Sequence, residues 1–149
     1  MDLAAALDQQ QAQLETLVDV LGEERELLCA SAPDGEALAA TAALKQACFE
    51  RLSTLDSEVE SLQRELGCPG GREGRQAAAA REQCPALLQQ VYATTTKVFH
   101  LNQHNGELLR ARMTWNERIL NFIRDSRDGE TYDTKGKTGS TRNTLCSQA

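Results

Sequence analysis

Residues 85–124 read PALLQQVYATTTKVFHLNQHNGELLRARMTWNERILNFIR, and their periodicity decides the fold. Leu88, Val91, Val98, Leu109, Ile119 and Ile123 recur at helical spacing, and Leu87, Leu108, Trp115 and Phe122 widen the stripe along one side. Steps of three and four residues belong to a helix, whereas a strand would alternate. The stripe also passes through Thr95, Asn102, Asn105 and Asn116, where a continuous apolar seam would carry Leu or Ile. An amide enclosed in such a seam must find a partner, and it then fixes register. At a bundle edge the same side chains would simply be hydrated, and the pattern allows both readings.

Everything upstream reads as built to pack against that segment. Residues 3–30 form a first helix of about 42 Å at 1.5 Å per residue. Leu7, Leu14, Leu21 and Leu28 stand at sevenfold spacing there, with Leu3, Leu17 and Val18 in the intervening turns. Asp8, Gln9, Gln13, Glu15, Asp19, Glu23 and Glu26 make the opposite, solvated face. The break SAPDG at residues 31–35 combines a proline that disfavours helix at Ala32 with Asp34–Gly35 turn chemistry. So short a connection makes the next helix antiparallel to the first. That second helix spans residues 36–66, with Leu38, Leu44, Cys48, Leu52, Leu55, Val59, Leu62 and Leu66 as its apolar stripe. Gly67 is placed for a left-handed cap and Pro69 forbids continuation, so residues 67–74 read as a flexible loop.

Residues 75–83, with alanines at 77–80, have high helix propensity and little apolar bulk, which suits a turn or two leading into the long segment. Pro85 marks a first-turn position or a kink. After Arg124, the run DSRDG at residues 125–129 reads as a stop, and the polar remainder buries too little surface to offset its chain entropy. The expected fold is therefore all-α: an elongated, antiparallel, coiled-coil-like three-helix bundle over residues 1–125. Its helices fall at about 3–30, 36–66 and 75–125, with a kink available at residue 85, and residues 126–149 form a flexible C-terminal tail.

Composition agrees. A chain of 149 residues fits one domain, and with only 4% aromatics its Ala, Leu, Gln, Glu and Arg content suits long helices in contact. A net charge of −6 argues against general binding of nucleic acid or anionic lipid. The N-terminal MDLAAALD has neither a positive leader nor a sustained apolar run, so a cytoplasmic location without membrane insertion is expected. The five cysteines, Cys29, Cys48, Cys68, Cys84 and Cys146, form no C-x-x-C pair and suit free thiols in a reducing compartment. Cys29 and Cys48 fall on apolar helix faces, where cysteine acts as a small hydrophobe. His100 and His104 are four apart, but Leu101 stands where a zinc protease needs Glu, and no further ligand completes a metal set. No nucleophile elbow, phosphate loop or dinucleotide fingerprint is present, so no catalysis, cofactor or small-molecule substrate is expected.

Four motifs in order carry a resemblance: LGEERELL at residues 21–28, LKQACFERL at 44–52, NQHNGELL at 102–109 and TYDTKGKT at 131–138. This series resembles the flagellar export chaperone FlgN family over nearly the whole chain. The resemblance implies a cytoplasmic chaperone of flagellar type III export that binds the hook-filament junction proteins FlgK and FlgL. It also implies that the C-terminal region holds the cargo's helical end and that a tail tyrosine, here Tyr132, docks to the export gate protein FlhA. Leu108, Leu109, Trp115, Ile119, Phe122 and Ile123 are then expected to form much of the cargo surface, as anchors for a helix lying in a groove. For Leu109 and Ile119 the stripe is equally compatible with a place in the core. The alternative function is a structural adaptor or self-assembling coiled coil joined through Leu7, Leu14, Leu21 and Leu28. Sedimentation separates the two: a chaperone is compatible with a monomer that takes cargo one to one, whereas the adaptor sediments as an assembly of copies.

Overall fold

The computed structural model describes the backbone of residues 1–135 and the side chains of residues 1–129. Asp2 opens the first helix, α1 (Leu3–Cys29), by accepting the Ala5 amide at 2.7 Å. Such a cap satisfies one of the amides that a helix leaves without an internal partner. Asp34 does the same for α2 (Gly35–Glu65), accepting from Glu36 and Ala37 at 2.9 and 3.2 Å. The Asp34–Gly35 pair, expected as a turn, is thus a helix start.

The end of α2 follows expectation. Gly67 has φ +68°, Gly67 N–H donates to Arg64 O and Cys68 N–H donates to Gln63 O. These two bonds make the Schellman closure that favours glycine at the left-handed position. Two further helices follow, α3 (Gly71–Arg81) and α4 (Pro85–Lys135).

Residues 75–125 were expected as one helix with a kink available at 85; they are two. A second Schellman closure separates them, with Gln83 N–H on Ala80 O, Cys84 N–H on Ala79 O and Gln83 itself at φ +56°. Glycine is the usual residue in this region because any other costs about 1–2 kcal/mol, so a break closed by Gln83 carries no glycine signal. Nor does a helix stop at Arg124. It continues through residues 125–129 to Lys135, because no proline follows Pro85 and a single Gly129 costs only about 1 kcal/mol. Of the expected mobile tail, residues 126–135 are therefore helical backbone, and residues 136–149 lie outside the described part.

Residues 1–109 make one packed unit with α1 at its centre. Leu3, Ala6, Leu7, Leu14, Leu17, Val20, Leu21 and Leu28 of α1 are buried. All of these but Leu28 share one core with Cys48 and Val59 of α2, Ala78 and Ala79 of α3, and Leu88, Val91 and Val98 of α4. Ala78 and Ala79 of α3 lack bulk, which lets that helix approach closely, and both are fully buried. Gly74 leaves room for the loop that precedes α3, since a Cβ there would overlap the Pro69 carbonyl. The sevenfold leucines Leu7, Leu14, Leu21 and Leu28 are enclosed within a single chain, so they offer no seam between copies.

Polar contacts set direction. Arg51 to Gln9 at 3.0 Å and Lys45 to Glu24 at 2.8 Å make α2 antiparallel to α1. Gln11 to Thr94 at 3.0 Å and Asn105 to Leu21 O at 2.8 Å make α4 parallel to α1 within this unit. Asn105, 1% exposed, also donates to Glu24 Oε1 at 3.0 Å. The Glu24 carboxylate is therefore shared by Lys45 and Asn105, and it ties α1 to both neighbours.

That network explains one departure in α2. The face turned to α1 at this level runs through Thr41, Lys45 and Cys48, so Leu44, expected in the apolar stripe, is 53% exposed. Cys29, expected on an apolar face, is likewise exposed at the end of α1. Removing one partner of a buried ion pair leaves the other charge uncompensated. Lys45→Met should lower unfolding free energy by about 3 kcal/mol in urea titrations, and in Glu24→Gln its effect should fall to less than half.

Candidate protein-binding surface

Asn105 is the last buried residue of α4 among those whose side chains are described. Beyond Leu109 the chain forms a second unit, and from residue 110 to 129 every side chain except half-buried Arg112 is exposed. This stretch is not polar. Met113, Trp115, Ile119, Leu120, Phe122 and Ile123 are all exposed, Trp115 by 57% and Phe122 by 71%. Single apolar side chains at a surface are ordinary, but several on one helix face mark a place for another protein.

At 100° per residue these six occupy about 180° of the helix circumference, wider than the stripe of about 100° that suffices to pack a surface helix. Of the expected cargo residues, Leu109, Trp115, Ile119, Phe122 and Ile123 are exposed and Leu108 is half-buried. Leu109 and Ile119 thus lie at the surface rather than in the core. Met113 and Leu120 belong to the same face and were missed. Their sevenfold spacing beside the Leu109–Asn116–Ile123 row was the available signal. Tyr132 falls within the helical backbone of α4, and Gly136 and Thr138 of the same motif lie outside the described residues.

The first unit holds a separate groove of about 420 Å³ between α2 and α4, above α1. Leu14, Phe49, Leu52, Val91, Tyr92 and Val98 line its apolar part. Its polar end is built by Gln10, Asp56 and Arg75, with Arg75 paired to Asp56 at 2.8 Å and the Arg72 guanidinium 4.6 Å from the Tyr92 ring centroid. Gln10 Oε1, Arg75 Nε and the Tyr92 hydroxyl are buried without a protein partner. The sequence pattern did not single out this groove, because its lining comes from four helices and no one of them carries a motif.

Chemistry at other centres is sparse. Among the described residues no three His, Cys, Asp or Glu side chains gather as a metal site, and His100 and His104 are both exposed. Cys29, Cys48, Cys68 and Cys84 are unbridged. Burial pushes the Cys84 thiol up, helped by the nearby Glu82 and Asp2 carboxylates, so it stays protonated and poorly nucleophilic at neutral pH. No described helix is long and apolar enough to cross a membrane.

Among the described residues, the apolar face of 110–129 is a feature that suits contact with another protein. Residues 1–140 match the family described as FlgN protein, so the chain belongs to the FlgN family of flagellum-biogenesis chaperones. It is 29% identical over 136 residues to the Flagella synthesis protein FlgN of Proteus mirabilis, covering 91% of this chain and 89% of that protein. No solved structure matches it. Because Trp115 and Phe122 stand in solvent, Trp115→Ala and Phe122→Ala should each leave unfolding free energy within about 0.5 kcal/mol of the parent. Thermal and urea melts followed by far-ultraviolet circular dichroism measure this.

Proposed function

We propose that this chain is a cytoplasmic export chaperone that captures the C-terminal helical regions of FlgK and FlgL and delivers them to the flagellar type III export gate. The observation that carries the reading is the apolar face of residues 110–129, which is exposed around half the helix. A cargo helix laid along it with anchors at three- and four-residue intervals buries that face without requiring the first unit to open. Leu108, Leu109, Trp115, Ile119, Phe122 and Ile123 supply anchors, joined by Met113 and Leu120. Tyr132, in the last turns of α4, is the docking residue for FlhA. The reading needs no cofactor, metal, nucleic acid or small-molecule substrate.

Holding cargo in this way suits a partner that must later be released. An isolated helix is marginal in water, so part of the binding energy goes into ordering it. Full burial of a large apolar side chain is worth about 1.5–3 kcal/mol, and about 1.4 kcal/mol is tenfold in affinity. Trp115→Ala and Phe122→Ala should therefore each weaken capture of FlgK and FlgL C-terminal fragments by about tenfold or more in calorimetric titration. Tyr132→Ala should leave that affinity unchanged and reduce FlhA binding and secretion. Undiminished capture by the Trp115 and Phe122 variants would remove residues 110–129 from the cargo site, and normal secretion by the Tyr132 variant would remove the gate assignment.

A further inference from the structure

Beside Gln10 and Leu14, α1 is flanked by α2 and α4, and the groove of about 420 Å³ lies between those two helices. Its walls run from Phe49 to Asp56 on α2 and from Val91 to Val98 on α4, seven residues apart on each, or about 10 Å along either axis. That is the length of about two helical turns. Three helices surround the space, and the fourth place of a bundle is open there.

The polar end of the groove is unfinished. Asp56 Oδ1 accepts from Arg75 at 2.8 Å and from Gln10 Nε2 at the long distance of 3.5 Å. Gln10 is 5% exposed, yet its Oε1 has no donor, and Arg75 Nε in the same cluster has no acceptor. Buried groups left bare in this way cost stability. Neither atom meets solvent, so a partner reaches them by turning the Gln10 amide away from its long bond to Asp56, whose side chain is 49% exposed. A carboxylate brought here would only accept and would face the Asp56 charge. An ammonium would only donate and would face Arg75. A carboxamide gives from its nitrogen and accepts at its oxygen, so one neutral group satisfies both bare atoms.

We infer that this groove takes a helix from a partner protein. The helix presents large apolar side chains three or four residues apart, and an asparagine or glutamine one turn beyond them that seats at Gln10 and Arg75. Residues 136–149 of the chain itself, GKTGSTRNTLCSQA, hold one large apolar residue, Leu145, and do not supply this pattern. The site is built wholly from the first unit, so it goes beyond the cargo face of residues 110–129. Apolar contact supplies the affinity, and the amide fixes register and rejects helices that lack it.

The test titrates the full chain with two helix-stabilised synthetic peptides of identical apolar face, one with glutamine and one with methionine at the amide position. Calorimetry measures affinity, and methyl NMR of Leu14, Leu52, Val91 and Val98 locates the bound peptide. The glutamine peptide should bind at least about tenfold more tightly and shift those methyl signals. Gln10→Met should remove the preference and melt at or above the parent temperature, because it deletes a bare buried oxygen. Ser53→Trp, at an exposed position on the groove wall, should block both peptides with an unchanged melt.

Equal affinity for the two peptides would overturn the inference, and so would a preference that survives in Gln10→Met. Peptide binding that leaves the four groups of methyl signals unmoved would overturn it too. Shifts there that follow chain concentration alone would assign the groove to a second copy and would also sink it.

Discussion

The Glu24 carboxylate is the contact on which the register of the first unit depends. It is 7% exposed, it meets the Lys45 ammonium at 2.8 Å, and it accepts from Asn105 at 3.0 Å. Burying a carboxylate without donors costs several kcal/mol. Leucine packing alone tolerates a slide of one turn, since an apolar stripe offers similar holes every 5.4 Å. The carboxylate does not, because a slide of either neighbour would strand it. The side chain that looks least suited to the core therefore specifies how α1, α2 and α4 align.

Along α4 the consequences differ by segment. Leu88, Val91, Val98 and Asn105 are its buried positions against α1, three and seven residues apart. Beyond Asn105 the same helical periodicity continues in Trp115, Ile119, Phe122 and Ile123, now in solvent. The two stretches obey one sequence rule and meet different environments. The first obtains its order from a packed core. The second has a wide apolar face and little internal reason to remain helical when unaccompanied. In the proposed reading this is the element that holds another polypeptide without trapping it.

Much of this was legible in the residues. Helical spacing located α1, α2 and the body of α4, and Gly67 caps α2 as its type dictates, whereas Asp34, expected in a turn, caps a helix instead. What was not legible has physical causes. Gln83 closes α3 from a left-handed conformation in which glycine is the usual residue, so no signal marks the break. Ala78 and Ala79 are fully buried because they are small, and smallness reads as weakness in a hydrophobic pattern. Lys45 turns inward to Glu24 and rotates Leu44 out, a choice that depends on a residue 21 positions away on another helix. For Asn105 the periodicity allowed both hydration and burial, and only the Leu21 carbonyl and the Glu24 carboxylate decide between them. The groove over α1 needed tertiary structure to be seen at all.

Native-state hydrogen exchange of the full chain, resolved by residue, tests the division of α4 most directly. In the free protein, amides of residues 88–105 should open only with global unfolding, while those of residues 110–129 should exchange at far lower opening free energy. Addition of an FlgK or FlgL C-terminal fragment should slow residues 110–129 and leave residues 88–105 unchanged. Equal protection across residues 88–129 in the free chain would mean that the apolar face is already covered, and would contradict the account.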